Sequence, residues 1–120
     1  MEGRKKKVLI ADDDPAVLDV LTLFLEGMGY EVESTEDGAT LAAFPAGAPD
    51  LLLLDIMMSG WNGCDICCHL KNQEATRRLP IMLFSANNDA VTMAREAGAD
   101  DFLAKPFDLE ALLKKIERWL

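Results

Sequence analysis

The most restrictive feature of the sequence is the apolar run LLLLDIMM at residues 51–58. A strand with one face in water alternates apolar and polar side chains, whereas Leu51 to Leu54 are apolar without interruption. This pattern is typical of a strand that is buried on both faces of a parallel sheet. Asp55 ends the run of leucines, and an ionised carboxylate in apolar surroundings is costly unless other groups compensate its charge. The run therefore predicts a buried parallel sheet and an unusual environment for Asp55.

The rest of the chain alternates between strand-like and helix-like segments. Short apolar runs predict strands, and apolar residues at helical spacing between capping residues, Pro and Gly predict helices. The predicted strands are 7–11, 30–35, 50–54, 81–86 and 101–104, and the predicted helices are 15–28, 37–44, 64–72, 88–97 and 109–120. Five such repeats in 120 residues predict one α/β domain over residues 1–120, with a (βα)5 doubly wound parallel five-stranded sheet. Residues 1–6 are expected to form a basic N-terminal tail.

The charge balance and the length of the apolar runs exclude two classes of protein. The formal net charge is −9, which argues against direct nucleic-acid binding through a broad basic surface. The longest apolar runs are far below the ~20 residues of a membrane-spanning helix, and no apolar stretch of signal-peptide form follows the basic start MEGRKKK. We therefore expect a cytoplasmic protein without membrane contact.

The three cysteines lie together in the segment CDICCH, at positions 64, 67 and 68. The segment is compatible with haem attachment, or with a zinc site that uses Cys64, Cys68 and His69. A structural zinc site usually takes four ligands from two separated pairs, and the sequence holds no second Cys/His pair outside this segment. Haem attachment implies export, for which no signal is present. A helix with small, partly buried thiols is therefore the preferred interpretation.

Charged or hydroxyl-bearing residues lie at the carboxyl ends of four of the five predicted strands. Asp12 and Asp13 follow the first strand, Asp55 follows the third, Ser85 lies at the end of the fourth, and Lys105 follows the fifth. Ligands of open α/β sheets bind beyond the carboxyl ends of the strands, so these side chains should converge at one edge. Three converging carboxylates repel one another unless cations compensate them. Lys105 supplies one positive charge, and an all-oxygen ligand set suits Mg²⁺.

This combination predicts phosphoryl transfer. A carboxylate beside Mg²⁺ and a lysine can attack phosphorus and form an acyl phosphate. Asp55 is the best candidate for the nucleophile because it is a single acidic residue in an apolar run, whereas Asp12 and Asp13 are adjacent in a loop and suit the metal. The hydroxyl of Ser85 could donate to a phosphoryl oxygen.

The segments VLIADDD, LLLLDIMMSGWNG, IMLFSA and AKPF resemble those of bacterial response-regulator receiver domains, and the resemblance covers Lys7 to Leu120. It implies a flavodoxin-like fold with the strand order 2-1-3-4-5. It also implies a phosphoacceptor switch of a two-component system, which receives a phosphoryl group from a sensor histidine kinase or a phosphotransfer protein.

The resemblance implies a metal site and names its ligands. Asp13 would be a direct ligand of Mg²⁺, Asp12 would act largely through water, and Asp55 would be both ligand and phosphoacceptor. The backbone carbonyl of Met57 would complete the protein ligands. Mn²⁺ is an ion that the same ligands could accept.

The resemblance also implies roles in the phosphorylated state. Ser85 and Lys105 would contact the phosphoryl group, Ser85 and Phe102 would be switch residues, and the peptide bond before Pro106 would be cis. Phosphorylation would then change the face formed by the fourth helix, fifth strand and fifth helix. A homodimer formed through this face on phosphorylation, and a downstream effector that the sequence does not identify, are the partners that the family implies. The predicted elements end at the fifth helix, so we expect no output domain.

Two other functions were weighed. A Mg²⁺-dependent phosphohydrolase would need a general acid near Asp55 and a cap over its substrate, and neither is evident. A receiver fold that only binds partners would not need the intact set of polar residues at the strand ends, namely Asp12, Asp13, Asp55, Ser85 and Lys105. The preferred hypothesis is a switch that catalyses only its own phosphorylation and dephosphorylation, and is not otherwise an enzyme.

Overall fold

A parallel sheet of five strands forms the centre of the protein. The computed structural model describes residues 5–38, 41, 49–58, 60–87 and 90–120. In chain order the strands are β1 (Lys7–Ala11), β2 (Glu31–Thr35), β3 (Leu51–Asp55), β4 (Met57–Met58), β5 (Trp61–Asn62), β6 (Ile81–Ser85) and β7 (Asp101–Ala104). The large sheet has the order β2-β1-β3-β6-β7 with parallel pairing throughout. This is the predicted 2-1-3-4-5 order when the small β4–β5 hairpin is left out, so the predicted fold class is confirmed.

Capping side chains mark where three of the helices begin. The helices are α1 (Pro15–Gly27), α2 (Gly63–Lys71), α3 (Ala90–Glu96) and α4 (Leu109–Trp119). The side chains of Asp14, Asn62 and Asp108 accept hydrogen bonds from first-turn amides of α1, α2 and α4, which satisfies donors that a helix leaves unpaired. The predicted helix at 37–44 lies mostly outside the described residues, although Gly38 and Leu41 within it are helical.

The four leucines of β3 contribute to two separate hydrophobic cores, one on each face of the sheet. Leu51 and Leu53 belong to the cluster that contains the buried residues of α1 and α4. Leu52 and Leu54 belong to the cluster on the other face, with the buried residues of α2 and α3. All four leucines are fully buried. Both faces of the central strand are therefore covered, which is the physical reason for its unbroken apolar sequence.

The segment after Asp55 differs from the prediction. Residues 55–63 lie outside the predicted strands and helices, whereas the structure pairs Met57 with Asn62 and Met58 with Trp61 in an antiparallel hairpin. Its two-residue strands are too short to produce a recognisable alternation in the sequence. Ser59 in this hairpin lies outside the described residues.

The cysteines of CDICCH lie on α2, where Cys64 and Cys67 are buried and Cys68 is exposed. Among the residues that the structure describes, the side chains arranged to hold a metal are three aspartates elsewhere, so the fold offers no support for the zinc interpretation. None of the described helices is long and apolar enough to cross a membrane.

The thiols are expected to differ in reactivity with iodoacetamide at pH 8. Burial raises the pKa of Cys67 to about 12, and burial together with Asp65 raises the pKa of Cys64. The thiolate is the reactive form, so intact mass should show one fast label on the native protein and three after denaturation. Cys68→Ser should remove the fast label. Fast labelling of Cys67 in the native state would contradict the placement of α2.

Candidate functional site

Three aspartates meet at the carboxyl edge of the sheet. Asp12 and Asp13 follow β1, Asp55 ends β3, and these two strands are parallel neighbours in the sheet. One carboxylate oxygen from each residue lies within 4.8 Å of the others. Asp12 is 1% exposed and Asp55 is 5% exposed, so two of the three carboxylates have little direct contact with solvent. The register of two buried strands thus brings together residues that are more than forty positions apart.

Lys105 provides the positive charge nearest to these carboxylates. Its Nζ lies 2.9 Å from Oδ2 of Asp12 and 3.6 Å from Oδ2 of Asp55. The lysine follows β7, and its backbone amide donates to the carbonyl of Ser85 at the end of β6 over 2.8 Å. Its ammonium group also lies 4.9 Å from the centroid of the Phe84 ring, within the range of a cation–π contact. Lys105 therefore bridges two carboxylates, with Asp12 as its closer partner.

The negative charge of the Asp55 carboxylate is not fully compensated by its neighbours. Burial and the nearby carboxylate of Asp12 raise the pKa of Asp55 to about 6, against the opposing effects of Lys105 and the Met57 amide. The Met57 amide donates to Oδ1 of Asp55 over 3.3 Å. Burial and the charge of Asp12 thus outweigh the stabilisation that Lys105 gives to ionised Asp55, so the negative charge of Asp55 is only partly compensated.

Asp55, Lys105 and Ser85 face a common hollow of about 310 Å³. Ser85 is 2% exposed, and its Oγ accepts the amide hydrogen of Asn87 over 3.0 Å. The side chain of Met57 lies at the rim and is 70% exposed. The hollow thus combines a carboxylate, a hydroxyl and an ammonium group in a space open to a small ligand.

Phe102 and Pro106, which were also proposed from the sequence, do not line this hollow. Phe102, on β7, is half-buried and packs against the core cluster that includes Ala90 and Ala94 of α3. It lines a second hollow, which it shares with Lys115 among others. Pro106 follows Lys105, and the peptide bond between them is cis.

Gly63 is a site residue that the sequence analysis did not identify. A Cβ at this position would collide with the backbone carbonyl of Asp55 and approach Cα of Ile56 to 2.7 Å. The Gly63 amide also donates to the Ile56 carbonyl over 2.7 Å. The start of α2 thus packs directly against the backbone of Asp55. The glycine itself was visible in WNG, but the close approach that requires it exists only in the tertiary structure.

The donor set fits a hard divalent cation. Three carboxylates with oxygens close together and a net negative charge provide the all-oxygen environment that Mg²⁺ prefers, and the raised pKa of Asp55 reflects charge that such an ion would neutralise. The residues that could hold it are Asp12, Asp13 and Asp55.

A parallel five-stranded sheet with the order 2-1-3-4-5, helices on both faces, and an acidic trio and a lysine at its carboxyl edge define the class of receiver domains. The family model for the response regulator receiver domain matches residues 8–117. The chain therefore belongs to the receiver domain family of two-component response regulators, as the sequence predicted.

Individual relatives agree with this assignment. The DNA-binding response regulator MtrA of Mycolicibacterium smegmatis is 36% identical over 119 residues, which are 97% of this chain and 51% of the relative. The chain thus spans about half the length of the curated relatives that it matches.

Two solved structures share the fold. The chemotaxis response regulator CheY4 of Vibrio cholerae superposes with a TM-score of 0.89 at 28% identity, covering 98% of this chain and 100% of that one. The response regulator TrrA of Thermotoga maritima, solved in complex with Mg²⁺ and BeF, has a TM-score of 0.85 at 29% identity, covering 96% and 99%.

The raised pKa of Asp55 predicts that Asp55→Asn stabilises the metal-free protein at neutral pH. The folded-state pKa of about 6 lies above the ~4 of an unfolded chain. The stability contributed by protonated Asp55 is therefore complete below pH ~4 and is lost as the pH rises through ~6. Urea unfolding in EDTA should show the variant more stable by about 2 kcal/mol at pH 7, with the difference vanishing near pH 4.

Asp19→Asn is the matched control, because Asp19 is exposed on α1. It should leave the stability nearly unchanged at both pH values. Equal stability of wild type and Asp55→Asn at pH 7 would contradict the charge deficit at the site.

Proposed function

We propose that the chain is one receiver domain over residues 1–120 and that Asp55 is its phosphoacceptor. The observation that carries this proposal is the bridging of two buried carboxylates by Lys105 beside an open hollow. A carboxylate oxygen of Asp55 attacks phosphorus, and the bond from phosphorus to the donor breaks as the acyl phosphate forms. With a kinase or a phosphotransfer protein as donor, the leaving group is a histidine nitrogen.

Asp12, Asp13 and Asp55 are proposed to hold Mg²⁺, or Mn²⁺ in its place, with the backbone carbonyl of Met57 as a further ligand. When bound, the ion neutralises charge that develops on the phosphoryl oxygens. The proximity of the three carboxylate oxygens and the Mg²⁺–BeF complex of TrrA support this assignment.

Ser85 and Lys105 are proposed to bind the phosphoryl group. Oγ of Ser85 accepts a hydrogen bond from the Asn87 amide, so the hydrogen of its own hydroxyl remains available for a phosphoryl oxygen. Nζ of Lys105 lies 3.6 Å from Asp55, close enough to pair with a phosphoryl group attached there.

The conformational response is proposed to run through Ser85 and Phe102. Ser85 pairs with Ala104 in the sheet, two residues beyond Phe102 on the same strand. Phe102 packs against the small residues of α3, and small side chains leave room for an alternative packing. The face formed by α3, β7 and α4 is therefore the proposed output surface, for a downstream effector or for a homodimer formed on phosphorylation.

An apolar hollow of about 590 Å³ beside the site supports a helical phosphodonor protein as the partner. Its walls are residues of α1, including Val17 and Val20, and the segment from Lys105 to Leu109. Lys105 lines this hollow and the one that contains Asp55. An amphipathic helix seated there would bring a phosphohistidine next to Asp55.

The proposed switch catalyses only its own phosphorylation and dephosphorylation. A phosphohydrolase would need a general acid close to the nucleophile. The hollow of about 310 Å³ contains Asp55. Among the described residues that line it, Asp55 is the sole carboxylate, and Met57 holds the position two residues after it. Turnover of an external phosphate ester beyond one equivalent would favour the hydrolase.

Acetyl phosphate with Mg²⁺ should label the protein with one phosphoryl group, detected by intact mass and by its lability to hydroxylamine. Asp55→Asn should abolish the label, since an amide cannot form the acyl phosphate. Lys105→Met should reduce it strongly, while Lys115→Met, which removes a lysine paired with Asp101, should not. Unchanged labelling of Asp55→Asn would refute the phosphoacceptor assignment. Size-exclusion chromatography of the labelled sample tests the homodimer.

The donor surface can be tested separately from the chemistry. Val20 lines the apolar hollow, so Val20→Glu should slow transfer from a phosphorylated histidine phosphotransfer domain at least tenfold, because burying an unpaired carboxylate is costly. Labelling by acetyl phosphate should be unchanged. Leu23→Glu is the control, because Leu23 lies on the same helix, is 73% exposed and lies outside the set of hollow-lining residues. Equal transfer by wild type and Val20→Glu would rule out this surface.

A further inference from the structure

The hairpin that follows Asp55 is too small to hold its own position. Each of its strands has two residues, and the pairs are Met57 with Asn62 and Met58 with Trp61. A two-stranded hairpin is marginally stable at best in water, even when it is much longer. Contacts outside the hairpin must therefore determine where Met57 lies relative to the three aspartates.

The base of the hairpin is held on the side of α2. The Gly63 amide donates to the carbonyl of Ile56, and the side chain of Asn62 caps α2 by accepting from the Cys64 amide over 2.7 Å. These contacts secure both ends of the segment. They do not fix the orientation of the paired residues that lie between these two ends.

The indole of Trp61 packs directly on the backbone of Gly38. A Cβ built on Gly38 would lie 2.5 Å from Cγ of Trp61 and 2.8 Å from its Cβ and Cδ2. Side chains essentially never approach so closely, so the indole occupies space that glycine alone leaves free. Gly38 is buried, and Trp61 remains 42% exposed. We call this contact the Trp61–Gly38 contact.

The segment that holds Gly38 is also connected to the acidic trio. β2 ends at Thr35, whose carbonyl accepts the amide hydrogen of Asp12 over 3.2 Å. Oγ1 of Thr35 accepts the amide hydrogen of Asp37 over 3.0 Å, which ties Gly38 to the same turn. The Trp61–Gly38 contact thus connects the hairpin that carries Met57 to the segment that supports Asp12.

We propose that Trp61 is a positioning residue of the metal site, and that its contact with Gly38 holds the Met57 hairpin at the place that metal binding requires. This inference rests on the metal binding that is part of the proposed function. Trp61 touches neither metal nor phosphoryl group in this role. It restricts the hairpin, so that the backbone of Met57 is in place before the ion arrives.

The test is a double-variant cycle on Mg²⁺ affinity, measured by isothermal titration calorimetry on the 120-residue chain. Trp61→Ala should weaken binding by roughly tenfold, the lower end for groups that orient metal ligands. Trp61→Phe should restore most of the affinity, because a ring remains on Gly38. Gly38→Ala should weaken binding in the wild-type background, because its methyl group displaces the indole.

The decisive result is the behaviour of Gly38→Ala once the indole is absent. In a Trp61→Gly background, which removes the ring together with the Cβ atom that lies 2.8 Å from the place of a Gly38 Cβ, it should cause no further loss of Mg²⁺ affinity. Ile116→Val is the matched control, since it destabilises the core cluster on the opposite face of the sheet. It should lower Tm without changing Mg²⁺ affinity.

The outcomes separate this inference from the proposed function. Absence of Mg²⁺ binding by the wild-type chain would refute the proposed metal site, and the positioning role with it. Normal binding by wild type together with equal affinity of Trp61→Ala would overturn the positioning role alone. Additive losses in the double variant would show that the two residues act independently, which also overturns it.

Discussion

The mutual repulsion of three carboxylates at one edge of the sheet is the interaction on which the site depends. Asp12 and Asp55 are nearly inaccessible to water, and Asp13 lies within 4.8 Å of both through its carboxylate oxygens. Charged groups held this close in a partly buried position need compensation. Lys105 supplies part of it, and the remaining deficit appears in the raised pKa of Asp55. The same deficit makes the edge attractive to a divalent cation.

Such a crowded arrangement can exist only on a rigid scaffold. β1 and β3 are neighbours near the middle of the sheet, and the apolar clusters on both faces contain their side chains. Asp12 and Asp55 directly follow the paired residues Ala11 and Leu54, so the pairing of these two strands fixes the distance between their backbones. Lys105 is held in a comparable way, because its amide bonds to the end of β6. The energy of burying the sheet therefore maintains the electrostatic strain at its edge.

The carboxylate of Asp101, at the start of β7, holds α4 against the sheet. Burial tends to raise the pKa of Asp101, but hydrogen bonds from Trp119, the Phe102 amide and Lys115 outweigh that effect and hold it below its usual range. Trp119 and Lys115 both belong to α4, and each donates to Asp101 over 3.0 Å. Asp101 thus anchors α4 to the start of β7, immediately before Phe102. The proposed output face therefore contains one helix, α4, that is anchored to the sheet, next to α3.

The sequence alone determined the fold class, the strand order through its resemblance to a family, and the set of polar residues at the strand ends. It could do so because a strand buried on both faces leaves an unbroken apolar run, and a parallel sheet sends the ends of its strands to one edge. Only the tertiary structure decided that Lys105 lies closer to Asp12 than to Asp55, that residues 57–62 form a hairpin, and that Gly63 and Gly38 leave space for Asp55 and Trp61. These features depend on small differences in the distances between segments that are far apart in the chain. Such distances are set by packing, and no local pattern of residues encodes them.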